Sequence, residues 1–178
     1  AFTLANACRI IAVSSEVARY AVDRGAKTER IVICPNGIDV ESFNLAARNQ
    51  SVRRSLIPAG RFVVGFHGRL RPWHGFDMLV RVTRELLQRG FDMHLLVVGE
   101  GDFEELKRLP ADRATHVAWQ PHKDIPGYVA AFDVLPLTYQ ADMPCYFSPL
   151  KLNEAMACGV PVAAYPVTGP IDVVVNGV

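Results

Sequence analysis

The 178-residue sequence lacks several patterns that identify common classes of protein. Its four cysteines are scattered and form no Cys-x-x-Cys pair, which argues against a disulfide framework or a zinc site. No apolar run is long enough to span a bilayer, and the first residues lack the Lys- and Arg-rich start of a signal peptide. We therefore expect a cytoplasmic protein whose thiols are reduced.

The sequence also lacks an excess of charge of either sign. It contains 19 Lys and Arg against 18 Asp and Glu, a formal net charge of +1. Bulk electrostatic attraction to nucleic acid or to an acidic membrane is therefore not expected, and we predict no nucleic-acid partner. The five histidines show no metal-ligand spacing, so we expect no metal site.

Short apolar runs alternate with helical patterns along the chain. Strands are predicted over residues 8–14, 30–35, 61–68, 93–99, 115–119, 132–137 and 160–165. Helices are predicted over 16–23 with Ser15 as N-cap, 76–89, 102–109, 124–131 and from 149 onward, and residues 41–60 read as a linker that is helical only around 51–56. Apolar strands that alternate with helices indicate an α/β fold with a doubly wound parallel sheet covered on both faces.

In such sheets a ligand binds at the carboxyl ends of the strands, in the loops before the helices. The first of these loops reads HGRLRPWHG and places Arg69, Arg71 and His74 beside a helix start, which favours an anion such as phosphate. A solvated basic loop remains the alternative. The next loop, GEGD, permits close backbone approach, but a lone Gly-x-Gly is a weak signal. A complete GxGxxG or Walker loop is absent.

The segment SPLKLNEAMACGVPVAA, residues 148–164, is the most informative. Ser148 can cap a helix that Pro149 begins, and the free N–H groups of Leu150 and Lys151 would then point toward an incoming phosphate. Glu154 would lie one turn further on, where a carboxylate can accept hydrogen bonds from ribose hydroxyls; an ion pair with Lys151 is the plainer alternative. Phosphate and ribose in this order would make a nucleotide. The apolar residues expected to be largely buried along this helix are Leu150, Leu152, Ala155, Met156, Ala157 and Cys158.

Four segments, PNGID, VVGFHGRLRPWHGFDMLV, LLVVGEGD and SPLKLNEAMACGVPVAA, occur in an order and spacing that resemble the retaining glycosyltransferases of the GT-B fold, including the glycosyl transferase group 1 enzymes. The resemblance implies two Rossmann-like domains, of which the C-terminal one binds a nucleotide-sugar donor. Residues 1–45 would be a remnant of the N-terminal acceptor domain and the crossover, 46–60 a linker, and 61–178 the Rossmann-like donor-binding domain, truncated at its C-terminus.

The resemblance further implies retaining, metal-independent transfer from a nucleoside-diphosphate sugar, with no cofactor beyond that substrate. The acceptor, whether sugar, lipid or protein, is not identified. We expect the fragment alone to be inactive, because the acceptor side would lie in the missing domain. Association with a membrane surface through that domain, and self-association through the N-terminal remnant, stay open.

The resemblance also assigns site residues. Arg69 and His74 are the expected catalytic residues: Arg69 would contact the donor diphosphate, and His74 takes the place of a second diphosphate-binding lysine. Glu154 would hold the ribose, whereas the first glutamate of the family's Glu-x7-Glu motif would fall at Tyr146 and is absent. The expected donor-binding residues are Gly68, Gly99, Gly101, Val117, Trp119, Gln120, Ser148, Leu150, Lys151 and Glu154.

Two other classes of function are consistent with the same scaffold. One is a nucleotide-sugar epimerase or a sugar phosphorylase. The other is a non-enzymatic, flavodoxin-like binding or signalling module, which the basic HGRLR loop disfavours because a receiver domain needs an acidic cluster there.

Overall fold

Strands and helices alternate along the chain, as the sequence pattern predicts. The computed structural model describes residues 2–47, 51–139 and 150–165. Within these ranges the helices are α1 (Phe2–Asn6), α2 (Ser15–Asp23), α3 (Ser51–Leu56), α4 (Phe76–Gln88), α5 (Ile125–Val129) and α6 (Leu150–Ala157). The strands are β1 (Ile10–Ala12), β2 (Ile31–Ile33), β3 (Phe62–His67), β4 (Met93–Val98), β5 (Ala114–Val117), β6 (Leu135–Leu137) and β7 (Val162–Ala164).

Strands β1 and β2 form a separate parallel pair at the N-terminal end of the chain, with α2 between them in sequence. The residue that caps α2 is Ser14, whose Oγ accepts a hydrogen bond from the Val17 amide at 3.2 Å. The prediction of Ser15 as N-cap was therefore wrong by one residue. Ser14 has an extended backbone, as an N-cap requires, whereas Ser15 already lies within the helix.

The other five strands form one parallel arrangement. Strands β3, β4 and β5 pair in that order, β6 pairs with β7, and a parallel bridge between Val64 and Val134 joins β3 to β6. The Gly65 amide donates to the Val134 carbonyl at 2.9 Å across this junction. The resulting order β7-β6-β3-β4-β5 reverses direction between β3 and β6, which confirms the predicted doubly wound parallel sheet.

Both faces of this sheet are covered. Strand β4 is buried along its whole length, and its alternate side chains enter two different cores. Leu96 and Val98 pack in the core that contains residues of α5 and α6, and Leu95 and Val97 pack in the core beneath α4. A strand buried on both faces favours apolar side chains, and five of the six residues of β4 are apolar. The sixth, His94, forms a hydrogen bond with Thr115 Oγ1 at 2.8 Å.

The predicted helix over 102–109 is instead a 3-10 helix over Glu104–Arg108. Phe103 and Leu109 are both buried in the core beneath α4, so this short stretch is anchored at its two ends. The carbonyls of Phe103 and Leu106 accept i→i+3 hydrogen bonds, the pattern of the tighter helix. Other predicted elements are present but shifted or shortened by a few residues at their ends.

The predicted linker packs against the sheet. Phe43 is buried in the same core as residues of α5 and α6. From α3, Arg53 contacts both carboxylate oxygens of Asp133 at 2.7 Å, and Asp133 also accepts a hydrogen bond from the Val63 amide at 2.7 Å. The helix predicted around 51–56 is confirmed, while the division of the chain at residues 45 and 60 stays a prediction.

Candidate functional site

A cleft of about 360 Å³ opens at the carboxyl ends of β3, β4 and β5, beside the start of α6. This is the edge of the sheet at which the topology predicts a ligand. The residues that line the cleft are His67, Gly68, Arg69, Val98, Gly99, Glu100, Trp119, Gln120, His122, Ile125, Leu150, Lys151 and Glu154.

A second groove, of about 370 Å³, lies between α4 and the β3, β6 and β7 strands. No charged side chain is among the residues that line it. The cleft at the strand ends, in contrast, combines cations, carboxylates and imidazoles. The cleft, and not the apolar groove, is therefore the candidate functional site.

Two glycines form the turns at the ends of β3 and β4. Gly68 and Gly99 both have positive φ angles, +98° and +143°. A Cβ atom on Gly99 would lie 2.2 Å from the Gly68 carbonyl oxygen, so a larger residue cannot fit there without moving the backbone. Gly101 meets a similar limit, since its Cβ would lie 2.5 Å from the Leu70 Cβ. At Gly99 and Gly101 the close neighbour is thus another loop of the protein.

Glu154 lies on the floor of the cleft and is only 8% exposed. Its Oε2 lies 3.6 Å from Nε2 of His67, the last residue of β3, and it receives no hydrogen bond from the described part of the chain. Burial raises the pKa of the Glu154 carboxyl, with His122 and Lys151 opposing the shift. Burial, with Lys151 adding to it, lowers the pKa of His67 to about 3, so this ring is neutral at neutral pH. A buried acid therefore faces a neutral imidazole whose Nε2 has no hydrogen-bond partner among the described residues.

Lys151 does not pair with Glu154. Its Nζ lies 3.3 Å from Nε2 of His74 and 4.4 Å from the centre of the Phe66 ring. Burial lowers the pKa of Lys151 to about 7, and Glu154 opposes the shift. The prediction that Glu154 does not form the i,i+3 pair with Lys151 agrees with this arrangement.

His74 is buried behind Lys151, and its Nδ1 accepts a hydrogen bond from the Arg71 amide at 3.1 Å. Burial, followed by the nearby charges of Lys151 and Arg71, lowers the pKa of His74 to about 3. The ring is therefore neutral at neutral pH and cannot act there as the second diphosphate cation. Its predicted role in the reaction stays a prediction, but only as a neutral hydrogen-bonding group.

Arg69 lies at the rim of the cleft. Its guanidinium bonds the Glu100 carboxylate, with Nη2 at 2.6 Å and Nε at 3.0 Å, and both side chains are more than half exposed. An exposed pair of this kind contributes only about 0–1 kcal/mol to stability. Arg69 can therefore exchange Glu100 for a bound anion at little cost.

The donor-binding residues predicted at the end of β5 and just after it, Val117, Trp119 and Gln120, are only partly exposed to the cleft. Trp119 is 65% exposed at the rim, and the side-chain Nε2 of Gln120 donates to the Ala118 carbonyl at 3.2 Å. Val117 is not among the residues that line the cleft. Its carbonyl accepts a hydrogen bond from the Gly99 amide at 2.9 Å, which holds it within the sheet. The structure thus brings Trp119 and Gln120 to the cleft and leaves Val117 beneath it.

Eight of the predicted site residues meet in this cleft, and these are Gly68, Arg69, Gly99, Trp119, Gln120, Leu150, Lys151 and Glu154. His74 lines a small adjacent cavity that Lys151 also lines, and Gly101 and Val117 lie outside the lining. Ser148 and the substituted position Tyr146 lie outside the described residues. The expectation that α6 is buried nearly all round was wrong at Leu150 and Met156, which are 45% and 48% exposed. These two side chains point away from the core to which Leu152 and Ala155 belong.

Three ionisable residues of the cleft were missed from the sequence: His67, Glu100 and His122. His67 had a usable signal, since it is an ionisable residue at the carboxyl end of an otherwise apolar strand. Glu100 and His122 had none, because polar residues in loops after strands are common and only the fold shows which of them face the cleft.

Within residues 2–47, 51–139 and 150–165, no three His, Cys, Asp or Glu side chains are grouped so that they could hold a metal ion. Over the same ranges no helix is long and apolar enough to cross a membrane. Metal independence, the lack of a cofactor and the cytoplasmic location stay predictions.

Residues 61–178 match the family described as glycosyl transferases group 1. The chain is 33% identical over 180 residues to a D-inositol 3-phosphate glycosyltransferase of Pseudarthrobacter chlorophenolicus, covering 97% of this chain and 43% of that relative. It is 30% identical over 138 residues to a GDP-mannose-dependent alpha-mannosyltransferase of Mycobacterium tuberculosis, covering 78% of this chain and 34% of that relative. The chain thus spans less than half the length of these two relatives.

The fold is similar to that of HepE from Anabaena, solved in complex with UDP-glucose, with a TM-score of 0.80 and 27% identity. That match covers 99% of this chain and 50% of the HepE chain. The epimerase, phosphorylase and flavodoxin-like alternatives find no support in these comparisons. The matched family, the identities and the parallel α/β architecture agree with one another, and the chain belongs to the glycosyl transferases group 1 family.

Proposed function

We propose that this chain carries the donor site of a glycosyltransferase and binds a nucleoside-diphosphate sugar in the cleft at the ends of β3, β4 and β5. The observation that carries the proposal is Glu154: a buried carboxylate on the cleft floor that receives no hydrogen bond from the described part of the chain. A buried acid without donors is costly, and a ligand with vicinal hydroxyls would supply them.

The basic side chains of the cleft support a diphosphate next to the ribose whose hydroxyls Glu154 would bind. Arg69 lies at the rim, where its bond to Glu100 is exchangeable, and Lys151 lies at the first turn of α6. The free amides at the start of α6 add partial positive charge on the same side. The HepE complex with UDP-glucose gives a relative of the same fold with a ligand of this class.

In the proposed reaction the bond between the anomeric carbon and the diphosphate oxygen breaks, and a bond from the acceptor oxygen forms on the same face. The acceptor proton passes to the leaving diphosphate. Arg69 and the start of α6 stabilise the charge that develops on that leaving group. Retention, metal independence and the acceptor are parts of the proposal, and so is the expectation that this chain by itself does not transfer sugar.

Ligand-observed NMR titration with UDP-glucose, GDP-mannose and ADP-glucose tests the donor site. We expect at least one of them to bind the folded chain. Glu154→Gln should weaken that binding about 10- to 100-fold, since charge-assisted hydrogen bonds contribute about 1.5–3 kcal/mol.

The matched control is Glu104→Gln, an exposed acid paired with Lys107 away from the cleft, which should leave binding unchanged. Circular dichroism verifies that each variant is folded. A folded chain that binds none of the three nucleotide sugars, or binds them equally well without the Glu154 carboxylate, contradicts the proposal.

A further inference from the structure

Lys151 lies between the cleft and a small neighbouring cavity. Its side chain lines the cleft, and it also lines a small cavity on the far side that His74 and Tyr139 share. Within the described residues it makes no ion pair with a carboxylate, although Glu154 is only three positions away on the same helix. The half-buried amine therefore has no carboxylate of the described residues paired with it.

The hydrogen bonds around His74 specify the state of that amine. The Arg71 amide donates to His74 Nδ1 at 3.1 Å, so Nδ1 carries no proton and the proton of the neutral ring is on Nε2. The neighbour of Nε2 is Lys151 Nζ at 3.3 Å. An ammonium has three donors and no acceptor, whereas a neutral amine has a lone pair that can accept from Nε2–H. The arrangement with His74 thus fits Lys151 as a neutral amine.

The groups that face Lys151 do not favour its charged form. The rings of His67 and His74 are neutral at neutral pH, and burial lowers the pKa of Lys151 itself to about 7. The other titratable or charged groups around it, taken from each neighbouring element, are Arg69, Arg71, Glu100, His122, Tyr139 and Glu154, and Glu100 is paired with Arg69. Among the described residues the Glu154 carboxylate is the charge that raises the pKa of Lys151, and it opposes the effect of burial without reversing it.

The cleft has room for the amine in its charged form. Gly68 lines the cleft next to the Lys151 stem, and a Cβ on that glycine would lie 3.1 Å from Lys151 Cε. The absence of a side chain at Gly68 leaves space for the lysine to turn from His74 toward the cleft. In the cleft it would meet the same ligand face as the first amides of α6.

We propose that Lys151 supplies the second cation for the donor diphosphate, and that it takes up a proton from solvent when the nucleotide sugar binds. This inference rests on the proposed function of the cleft. It assigns to a residue of α6 the charge that the neutral His74 cannot provide, with His74 holding the amine in its neutral form while the cleft is empty.

The sign of the pH dependence follows from this assignment. Two phosphate charges raise the proton affinity of Lys151 in the complex, so its pKa is higher with donor bound than without. Below about pH 7 the amine is already protonated and binding takes up no proton. Above that pH each binding event takes up close to one proton, and affinity falls by up to about tenfold per pH unit.

Isothermal titration calorimetry of the full chain with UDP-glucose tests the proposal, with GDP-mannose or ADP-glucose as the probe if that one binds better. Titrations at pH 8 in Tris and in HEPES give the number of protons from the difference in heats. A nucleotide sugar is the right probe because each of its phosphates is linked on two sides, by one ester and the shared anhydride, and so has no group that titrates near neutral pH. A terminal phosphate titrates near pH 6 and would add protons of its own. We expect uptake of most of one proton by the unaltered chain.

Two variants separate charge from shape. Lys151→Arg keeps a permanent charge, so it should bind with no proton uptake and with affinity independent of pH from 6.5 to 8.5. Lys151→Met should lose about tenfold or more in affinity at pH 6.5 and show no uptake at pH 8. The control is Lys107→Met, an exposed lysine paired with Glu104, which should retain both the affinity and the uptake.

Binding that depends on Glu154 but takes up no proton, or uptake that persists in Lys151→Met, overturns this inference and leaves the donor site intact. Failure of every nucleotide sugar to bind the folded chain overturns both. Thermal denaturation of each variant verifies folding, so a weak titration is not mistaken for loss of the fold.

Discussion

Two carboxylates at opposite ends of the parallel sheet have different surroundings. Asp133 lies where β3 begins; it bonds Arg53 through both oxygens and also accepts the Val63 amide. Glu154 lies where β3 ends; it is more deeply buried, yet its neighbour is the neutral ring of His67 at 3.6 Å. The first acid has its hydrogen bonds within the fold, and the second receives none from the described residues.

This difference separates a structural acid from a site for a ligand. A partly buried acid that is bonded to an arginine and an amide stabilises the elements it joins, here α3 and β3. A buried acid without donors destabilises the empty protein and gains its partners only from a bound molecule. The two ends of the sheet should therefore respond in opposite ways to the loss of their carboxylates.

The largest effect on stability is expected at Asp133, where β3 begins. Asp133→Ala leaves the Arg53 guanidinium and the Val63 amide without this acceptor. Because the two side chains of the pair are only 32% and 26% exposed, the free energy of unfolding should fall by about 2–3 kcal/mol. Urea denaturation measures this change. Glu85→Ala, which removes an exposed pair with Arg89, is the control and should change stability by less than about 0.5 kcal/mol. Equal effects of the two substitutions would contradict the structural role.

Loss of the Glu154 carboxylate should raise the free energy of unfolding instead of lowering it. Burial raises the pKa of Glu154, so the folded protein binds more protons there than the unfolded chain, and stability falls as pH rises above the ordinary value of 4.5. Glu154→Gln removes this loss of stability at high pH. The variant should match the unaltered chain near pH 4 and be more stable by about 1 kcal/mol at pH 8.

Thermal denaturation across this pH range measures the difference between the two proteins. Asp133→Asn serves as the comparison, because its loss of stability should not become a gain at high pH. A Glu154→Gln variant that is destabilised at pH 8 would show that the carboxylate has partners within the protein.

The smallest effect is expected at the rim, where the Arg69–Glu100 pair is exposed. Glu100→Gln frees the guanidinium for a phosphate and should strengthen nucleotide-sugar binding about two- to fivefold, since the exposed pair is worth about 0.2–1 kcal/mol. The gain should shrink as salt concentration rises. Glu85→Gln, whose partner Arg89 lies outside the cleft, should leave binding unchanged. Weaker binding in Glu100→Gln would mean that Glu100 itself contacts the ligand.

The sequence predicted the large elements because their patterns are local. The largely apolar run of β4 and the apolar face of α4 at Phe76, Leu79 and Val80 each follow from a local pattern, and each is present in the structure. The predictions were wrong where hydrogen bonds or packing contacts decide how a helix begins or which type of helix forms. Ser14 and not Ser15 caps α2. Residues 104–108 form a 3-10 helix because the buried side chains of Phe103 and Leu109 fix its two ends.

The sequence by itself determined the α/β class, the edge of the sheet where a ligand would bind, and the unusual acid Glu154 on an apolar helix. Only the tertiary structure decided the partners of the charged groups. His67 and His74 are far from α6 in sequence, and Lys151 and Glu154 lie on different sides of that helix. In the structure His67 nevertheless faces Glu154, and His74 faces Lys151. The reason is physical: protonation depends on burial and on neighbours within a few ångströms, and neither is encoded in local spacing.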